Sequence, residues 1–459
     1  MRKERDAFGE MEIDDNIYYG LQTARAGRYF AVSEARVHPE LIRAIALIKK
    51  VAALANVKLG ALDPVIGEAI VRAAEDVING RLDDQFIVCA LQGGAGTSTN
   101  SNVNEVIANR ALEILGLPKG SYDRIHPNAH VNLPQSTNDV YPTAIRLAAL
   151  QLLEELSDRI ADLQEALQVK EREFAHILKL GRTQLQDAVP ISLGQEFGAY
   201  AQAIARDRWR LYKAGERLRQ VSLGGTAVGT GINAPLKYIH LVNEKLRLEF
   251  PFGLARNENL VDGIQNMDVF VEVSGLLKAA AVNLAKISHD LRLLSSGPRG
   301  GLGEIKLPNL QAGSTIMPGK VNPVIPELMN QVSIKVISND LAITLAAESG
   351  QLELNAFAPT IAHCLLESMK IMIRAVDIFV KHCISGITAV EENCAGHLEK
   401  STVLATVLTA YLGYDVCSRL ALQSLETGIS IRQLVIEQGL MSKEELDRIL
   451  TVDRLTRPT

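Results

Sequence analysis

Cysteine, charge of one sign and long apolar tracts are all scarce in this sequence. Its five cysteines are scattered and form no Cys-x-x-Cys pair, which excludes the usual zinc frameworks and favours free, buried thiols. No run of eighteen predominantly apolar residues occurs, and the N-terminus lacks an apolar segment, so neither a membrane span nor a secretory signal is predicted. A formal net charge of −5 provides no strong field for nucleic acid or an anionic membrane. We therefore expect a cytoplasmic protein with no nucleic-acid or membrane partner.

Strand signals are sparse as well, and strands do not alternate with helices. The sequence carries long helical periodicity instead. Between Tyr141 and Leu178, apolar residues recur at spacings of three and four, which predicts a helix of roughly thirty residues with an apolar seam. Four further long helices are predicted at Ile191 to Val221, Gly263 to Leu294, Val324 to Ala347 and Asn355 to Ser385. The predicted fold class is therefore mainly α.

The length and composition indicate more than one domain. A chain of 459 residues with 47% hydrophobic content can bury the cores of two or three domains. Shorter helical runs follow Asn393, including a capping-box start at Ser442 with Glu445 three residues later. We expect an N-terminal mainly helical domain at 1–140, a central long-helix bundle at 141–393 and a small C-terminal helical domain at 394–459. Helices as long as those predicted have apolar faces that oligomerisation would cover.

The densest group of demanding residue types is the segment Gly313 to Glu327, which reads GSTIMPGKVNPVIPE. Ser314 and Thr315 supply hydroxyl groups within a glycine- and proline-containing turn. Lys320 and Asn322 stand just before a predicted helix, whose N-terminal end carries partial positive charge. The segment therefore predicts a binding loop for a small anionic substrate.

Three other segments are rich in small polar residues beside predicted helix ends, namely Gln92 to Asn104, His126 to Thr143 and Gly181 to Pro190. Their hydroxyl and amide groups are neutral donors and acceptors that can hold carboxylate oxygens. A simple capped loop would also use such residues, but four loops of this kind strengthen one another. The candidate binding residues in these three segments are Thr97, Ser136, Thr137, Asn138, Thr183 and Gln184.

Together the four segments resemble those of the aspartase/fumarase superfamily, whose signature runs Gly-Ser-Ser-x-Met-Pro-x-Lys-x-Asn. The chain matches this signature with Thr315 in place of the second serine, and the resemblance extends from Tyr18 to about Asn393. The segments GGAGTS, QSTND and GRTQLQDAVP are more similar to the aspartate ammonia-lyase branch than to the fumarase branch. The resemblance implies a three-domain subunit with a central five-helix bundle, assembled into a homotetramer whose active sites each use three subunits.

The resemblance also implies a reaction, the reversible elimination of ammonia from L-aspartate to give fumarate, with no metal and no cofactor. Removal of the β-proton creates a doubly charged aci-carboxylate that needs hydrogen-bond donors. Ser314 would be the general base, activated by loop backbone N–H groups and the Lys320 charge. The implied partners of the β-carboxylate are Thr97, Ser136, Thr137 and Thr315. Those of the α-carboxylate are Lys320 and Asn322, and those of the leaving ammonium are Asn138, Thr183 and Gln184.

Two departures from the family pattern bear on these expectations. Gln184 stands where fumarases more often carry histidine, and it cannot transfer a proton, which favours a leaving group that is already protonated ammonium. Ala129 replaces the aspartate found in the HPND segment of relatives, so an accessory anion site is not expected there. Two alternatives stay open, a fumarate hydratase acting on malate and fumarate, and a helical scaffold of the same superfamily without activity.

Overall fold

The fold is mainly α, as predicted: 63% of the chain is helical in a computed structural model that describes residues 1–457. The α-helices of this range are α1 (Leu21–Tyr29), α2 (Pro39–Lys58), α3 (Pro64–Ile78), α4 (Thr97–Ile114), α5 (Thr137–Glu173), α6 (Leu193–Leu218), α7 (Leu236–Glu249), α8 (Leu260–Gln265), α9 (Asp268–Leu294), α10 (Val324–Glu348), α11 (Ala358–His382), α12 (Glu391–Lys400), α13 (Val403–Leu412), α14 (Tyr414–Thr427), α15 (Ile431–Glu437), α16 (Lys443–Ile449) and α17 (Val452–Thr456). None of them combines the length and the apolar character needed to cross a membrane.

Strands are few and short, and they pair only two by two within residues 1–457. The strands are β1 (Arg2–Asp6), β2 (Gly9–Ile13), β3 (Leu178–Thr183), β4 (Gln186–Ser192), β5 (Gln220–Val221), β6 (Ala255–Arg256), β7 (Ile305–Lys306) and β8 (Thr388–Ala389). The pairs β1–β2, β3–β4 and β7–β8 are antiparallel, whereas β5–β6 is parallel.

All five long helices predicted from periodicity are present as α5, α6, α9, α10 and α11, which contain 37, 26, 27, 25 and 25 residues. One prediction was wrong in its extent. The helix expected from Gly263 to Leu294 is interrupted, because α8 ends at Gln265 and α9 begins at Asp268. Asn266 between them is extended, with φ −97° and ψ 135°, and its side-chain amide donates to Asp262 Oδ1.

The chain divides into two compact units, and the first comprises residues 1–157, 209–279 and 335–372. Its core includes one face of α2, which packs against α3, α4 and α7. In this unit α9 and α10 are joined where Asp340 accepts from Ser274 at 2.8 Å and from Lys278 at 2.6 Å. The unit also contains the starts of α4 and α5, which carry four of the predicted site residues.

The second unit comprises residues 158–208, 280–334 and 373–459, of which the structure describes those up to 457. Leu180 of β3 belongs to the apolar core formed by the C-terminal helices, together with Leu404, Leu408, Leu420 and Leu434. The capping box predicted at Ser442 and Glu445 is confirmed at the start of α16. The division into domains 1–140, 141–393 and 394–459 stays a prediction.

Candidate active site

The segment that begins at Gly313 folds into a closed loop before α10. The Gly313 N–H donates to the carbonyl of Lys320 at 2.8 Å, and the Asn322 amide donates to the carbonyl of Gly313 at 2.9 Å. A Cβ at position 313 would lie 2.8 Å from the Lys320 oxygen, so the closure requires glycine. One N–H and the Oδ1 atom of the Asn322 amide remain for other partners.

Ser314 has a distinctive hydrogen-bonding environment within this loop. Its Oγ accepts from the backbone N–H groups of Ile316, at 3.1 Å, and of Met317, at 3.0 Å. Two N–H dipoles aimed at one hydroxyl oxygen stabilise negative charge on that oxygen. The hydroxyl proton is not used in either contact, and Ser314 is only half-buried. The arrangement therefore lowers the cost of ionising Ser314 while leaving it accessible.

A cavity of about 640 Å³ lies beside the loop and is lined by Lys320 and Asn322. Arg292 and Lys306 add two further cationic side chains to its wall, against the single carboxylate of Glu327. The excess of positive charge suits a small dicarboxylate.

The loop at the start of α4 presents Thr97 at the positive end of that helix. Gly96 precedes it with φ +92°, and a Cβ there would lie 2.4 Å from the ring of Tyr141. Thr97 is exposed, whereas Thr99 is buried and donates its hydroxyl to Gln92 Oε1 at 3.0 Å. Of these two threonines, only Thr97 is therefore available to an external ligand.

At the start of α5, hydrogen bonds orient the predicted site residues Ser136 and Asn138. Ser136 Oγ accepts from the Asn138 N–H at 3.2 Å, so its proton is free to be donated. The Asn138 amide nitrogen donates to the carbonyl of Ala227 at 2.8 Å, which leaves Oδ1 to accept. A carbonyl oxygen in this position suits an ammonium group.

The starts of α4 and α5 meet through a side-chain contact. Asn100, one turn after Thr97 on α4, donates from Nδ2 to Thr137 Oγ1 at 3.1 Å. The structure therefore brings the α4 loop and the α5 loop together within the first unit.

Two buried ionisable groups lie behind these loops. Lys49 of α2 has no exposed surface, and its Nζ donates to Asn132 Oδ1 at 2.7 Å and to Gln135 Oε1 at 2.9 Å. Burial lowers the pKa of Lys49 to about 7, an effect that the charge of Asp139 partly offsets. Burial raises the pKa of Asp139 to about 6, although backbone N–H donors oppose the shift.

Asp139 joins the α5 loop to a glycine-rich segment. Its Oδ1 accepts from the Ser136 N–H at 3.0 Å, and its Oδ2 accepts from the N–H groups of Gly224 and Thr226 at 2.8 and 3.1 Å. A single buried carboxylate thus fixes Ser136 and the loop whose Ala227 carbonyl orients Asn138.

Thr183 and Gln184 lie in a β-hairpin, where the sequence predicted only a break between two helices. Thr183 ends β3, and Gln184 and Leu185 form the exposed turn with φ +55° and +61°. Arg182 anchors the hairpin by donating to Glu304 Oε1 at 2.9 Å. Burial acts to raise the pKa of Glu304, but Lys179, His397 and Arg182 together hold it below its ordinary value.

The predicted site residues therefore form two sets, one in each compact unit. The first unit holds Thr97, Ser136, Thr137 and Asn138, and the second holds Thr183, Gln184, Ser314, Thr315, Lys320 and Asn322. Among the described residues, no three His, Cys, Asp or Glu side chains are grouped as a metal site would require.

Lys49 and Asp139 were not predicted from the sequence. A signal for Lys49 was present, because it lies four residues after Ile45 and seven before Asn56 on the buried face of α2. A lysine on such a face is a candidate for a buried interaction.

The chain matches two protein-family models and is similar to known proteins. The family model described as Lyase matches residues 9–338, and the model described as Fumarase C C-terminus matches residues 404–457. An aspartate ammonia-lyase from Bacillus sp. is 49% identical over 458 residues, covering 100% of this chain and 98% of that protein.

Two solved structures are similar over nearly the whole chain. A fumarate lyase:delta crystallin from Brucella melitensis, bound to cobalt, has a TM-score of 0.95 at 49% identity and covers 99% of this chain and 98% of that one. A class II fumarase from Schistosoma mansoni has a TM-score of 0.91 at 33% identity, with 98% of each chain covered. The chain is thus more similar in sequence to the aspartate ammonia-lyase than to this fumarase.

Proposed function

The chain belongs to the aspartase/fumarase superfamily of lyases, and from that premise we infer that it is an aspartate ammonia-lyase. It catalyses the reversible elimination of ammonia from L-aspartate to give fumarate, as its full-length similarity to a protein of that name supports. It is therefore a carbon–nitrogen lyase whose substrate is a small dicarboxylate.

For the chemical step, we propose Ser314 as the general base. The observation that carries this proposal is the donation of two backbone N–H groups to Ser314 Oγ. With the charge of Lys320 nearby in the loop, these donors favour an alkoxide, which takes the β-proton of aspartate. The electron pair of the broken C–H bond moves into the β-carboxylate and gives the aci-carboxylate. Its collapse forms the C=C bond of fumarate and breaks the C–N bond, and ammonia leaves with the bonding pair.

The other predicted residues then have binding roles. We assign the β-carboxylate and its aci form to hydroxyl donors, which strengthen as charge develops. These donors are Thr97, Ser136, Thr137 and Thr315. Lys320 and Asn322 bind the α-carboxylate, in keeping with the cationic cavity that they line.

The leaving ammonium interacts with Asn138, Thr183 and Gln184. Asn138 offers its Oδ1 because Nδ2 is held by Ala227. Gln184 lies in an exposed turn and has no acid–base chemistry of its own, which matches a leaving group that is protonated before the C–N bond breaks.

We also propose a cytoplasmic homotetramer of three-domain subunits, in which each active site takes loops from three subunits. Long helices of the first unit carry apolar side chains that the isolated chain leaves exposed. Trp209 is 63% exposed, Tyr212 60%, Leu341 60% and Leu345 53%. Association of these helices between subunits would bury them.

The test is fumarate absorbance after addition of L-aspartate or L-malate to the purified protein. We expect fumarate from L-aspartate, and Ser314→Ala should lower kcat by about 10²–10⁴-fold. Ser385→Ala is the matched control, because Ser385 is exposed and only donates to the Val380 carbonyl. Turnover of malate alone would overturn the assigned function, and near-normal activity of Ser314→Ala would overturn the assigned base.

A further inference from the structure

We propose that Lys49, Asn132 and Asn100 form a relay of positioning residues that orients the Thr137 hydroxyl so that it donates its proton to the substrate. The proposal rests on the function assigned above and adds three residues to it. All four side chains lie in the first compact unit.

Lys49 determines which atom of the Asn132 side-chain amide, the oxygen or the nitrogen, faces it. Its Nζ carries donors and is held between two amide oxygens, Asn132 Oδ1 at 2.7 Å and Gln135 Oε1 at 2.9 Å. An amide can usually be turned by 180° to exchange its oxygen and nitrogen, but here the turn would direct an NH₂ group at the lysine donors. A lysine ammonium has no lone pair with which to accept, so both contacts are donations from Nζ.

Asn132 in turn determines which atom of the Asn100 side-chain amide on α4 faces it. With its oxygen turned to Lys49, Asn132 Oδ1 also accepts from Asn100 Nδ2 at 3.2 Å and from Asn104 Nδ2 at 3.3 Å. Its own Nδ2 donates to the Gln135 carbonyl at 2.9 Å, which holds the amide plane. Asn100 must therefore present its nitrogen, not its oxygen, on this side.

The second hydrogen of the same Asn100 nitrogen reaches Thr137, 3.1 Å away. Thr137 Oγ1 is an acceptor in that contact, so its own proton points elsewhere. The contact uses one lone pair of the hydroxyl oxygen and leaves its proton to be donated towards the ligand. Because the hydroxyl already points its proton at the ligand, it does not need to reorient when negative charge develops on the β-carboxylate.

Asn104 provides a control within the structure. It lies one turn further along α4, is 1% exposed against 3% for Asn100, and donates to the same Asn132 oxygen. Its Nδ2 has no hydrogen bond to Thr137 among the contacts of the described residues. A purely structural role in this cluster would be shared by both asparagines, whereas an action through Thr137 belongs to Asn100.

The experiment is a double-mutant cycle on kcat and KM for L-aspartate. Asn100→Leu and Asn104→Leu are each made in the wild-type and in the Thr137→Val background, and folding is checked by circular dichroism. We expect Asn100→Leu to lower kcat about tenfold with a smaller change in KM, because the lost donation matters most in the transition state. In the Thr137→Val background it should lower kcat less than about twofold further.

Asn104→Leu should lower kcat by the same factor in both backgrounds. Equal losses for Asn100→Leu in both backgrounds would overturn the relay. If Asn100→Leu does not fold, Asn100→Ala removes the same N–H groups without added atoms and takes its place. Absence of aspartate turnover in the wild type would instead overturn the assigned function, and this separates the two failures.

Discussion

Two imidazole rings lie against each other, tilted, in a partly buried site of the first unit. The rings of His38 and His363 have centroids 5.3 Å apart and an interplanar angle of 31°. His38 Nε2 and His363 Nδ1 are buried without hydrogen-bond partners among the described residues. Burial lowers the pKa of both side chains, that of His38 to about 4; Lys370 and Lys335 act in the same direction, whereas Glu40 and Glu367 oppose the shift.

This site predicts a loss of stability in mild acid. An unfolded His38 takes up a proton near pH 6.5 and a folded one near pH 4, so the unfolded state binds more protons between these values. The contribution of His38 to the free energy of unfolding is therefore full above pH 6.5 and is lost as the pH falls to about 4, in all roughly 3 kcal/mol. His38→Gln should therefore show a smaller fall in the thermal unfolding midpoint over this range than the wild type.

The charged side chains around the two histidines are present in the wild type and in the His38→Gln variant. Glu40 and Lys370 influence His38, and Glu367 and Lys335 influence His363. His240→Gln is the control, because His240 is exposed. Midpoints of wild type and His38→Gln that fall in parallel would contradict the prediction.

For single residues, the sequence predicts which side chains have chemical roles better than it predicts which side chains contact one another. Ser314 was expected to need loop N–H donors, and the donors of Ile316 and Met317 are present. The relay behind Thr137 was not predicted, because a lysine such as Lys49 is usually exposed and its partner Asn132 lies 83 positions away in the chain. Only folding shows which of the many small polar side chains face one another.

Helix α4 offers a test at the scale of one element, because a glycine with positive φ stands at each of its ends. Gly96 has φ +92° and its missing Cβ would overlap the Tyr141 ring, whereas Gly116 has φ +72° and nothing within 4 Å. Gly116→Ala should cost about 1–2 kcal/mol of stability through backbone strain alone and leave kcat unchanged. Gly96→Ala should cost more than about 3 kcal/mol, since the buried ring has to move.

Gly96→Ala should also lower kcat, because the displaced first turn of α4 carries Thr97. Thermal unfolding and aspartate turnover of the two variants provide the comparison. Equal stability and equal turnover would show that the Tyr141 ring does not constrain the start of the helix.

Long helices were predicted from the sequence more completely than short elements, of which the start of α16 at Ser442 was predicted. Periodicity over 24 residues or more identified α5, α6, α10 and α11 with bounds close to those observed. The β3–β4 hairpin was missed, because its turn residues Gln184 and Leu185 adopt positive φ without the Asn-Gly or Gly pair that usually indicates such a turn. The interruption between α8 and α9 was hidden because the apolar residues Ile264 and Met267 keep helical spacing across it.

At the scale of the whole molecule, the proposed assembly explains why the site residues occur in two sets. If each active site takes its loops from different subunits, residues of the two sets need not meet within one chain. The exposed apolar faces of the long helices are then the interface that makes the chemistry possible. According to this proposal, a subunit that does not assemble has no complete active site.

This proposal makes a quantitative prediction for mixtures of two variants whose kcat is far below that of the wild type. Thr137→Val removes a residue of the first set and Ser314→Ala a residue of the second. In tetramers formed at random from equal amounts of both, a site has an intact Thr137 with probability one half and an intact Ser314 with probability one half. If the two residues come from different subunits, roughly a quarter of the sites should be intact, and kcat should recover to roughly a quarter of the wild-type value.

Co-expression of the two variants with different affinity tags isolates mixed tetramers for the measurement. A mixture of Ser314→Ala and Lys320→Met is the matched control, because both changes lie in one loop that a single subunit supplies, and it should show no recovery. Mixed tetramers of Thr137→Val and Ser314→Ala whose kcat stays no higher than that of their parents would mean that each chain builds its own site. The shared-site assembly would then be wrong, while the roles of the individual residues would stand.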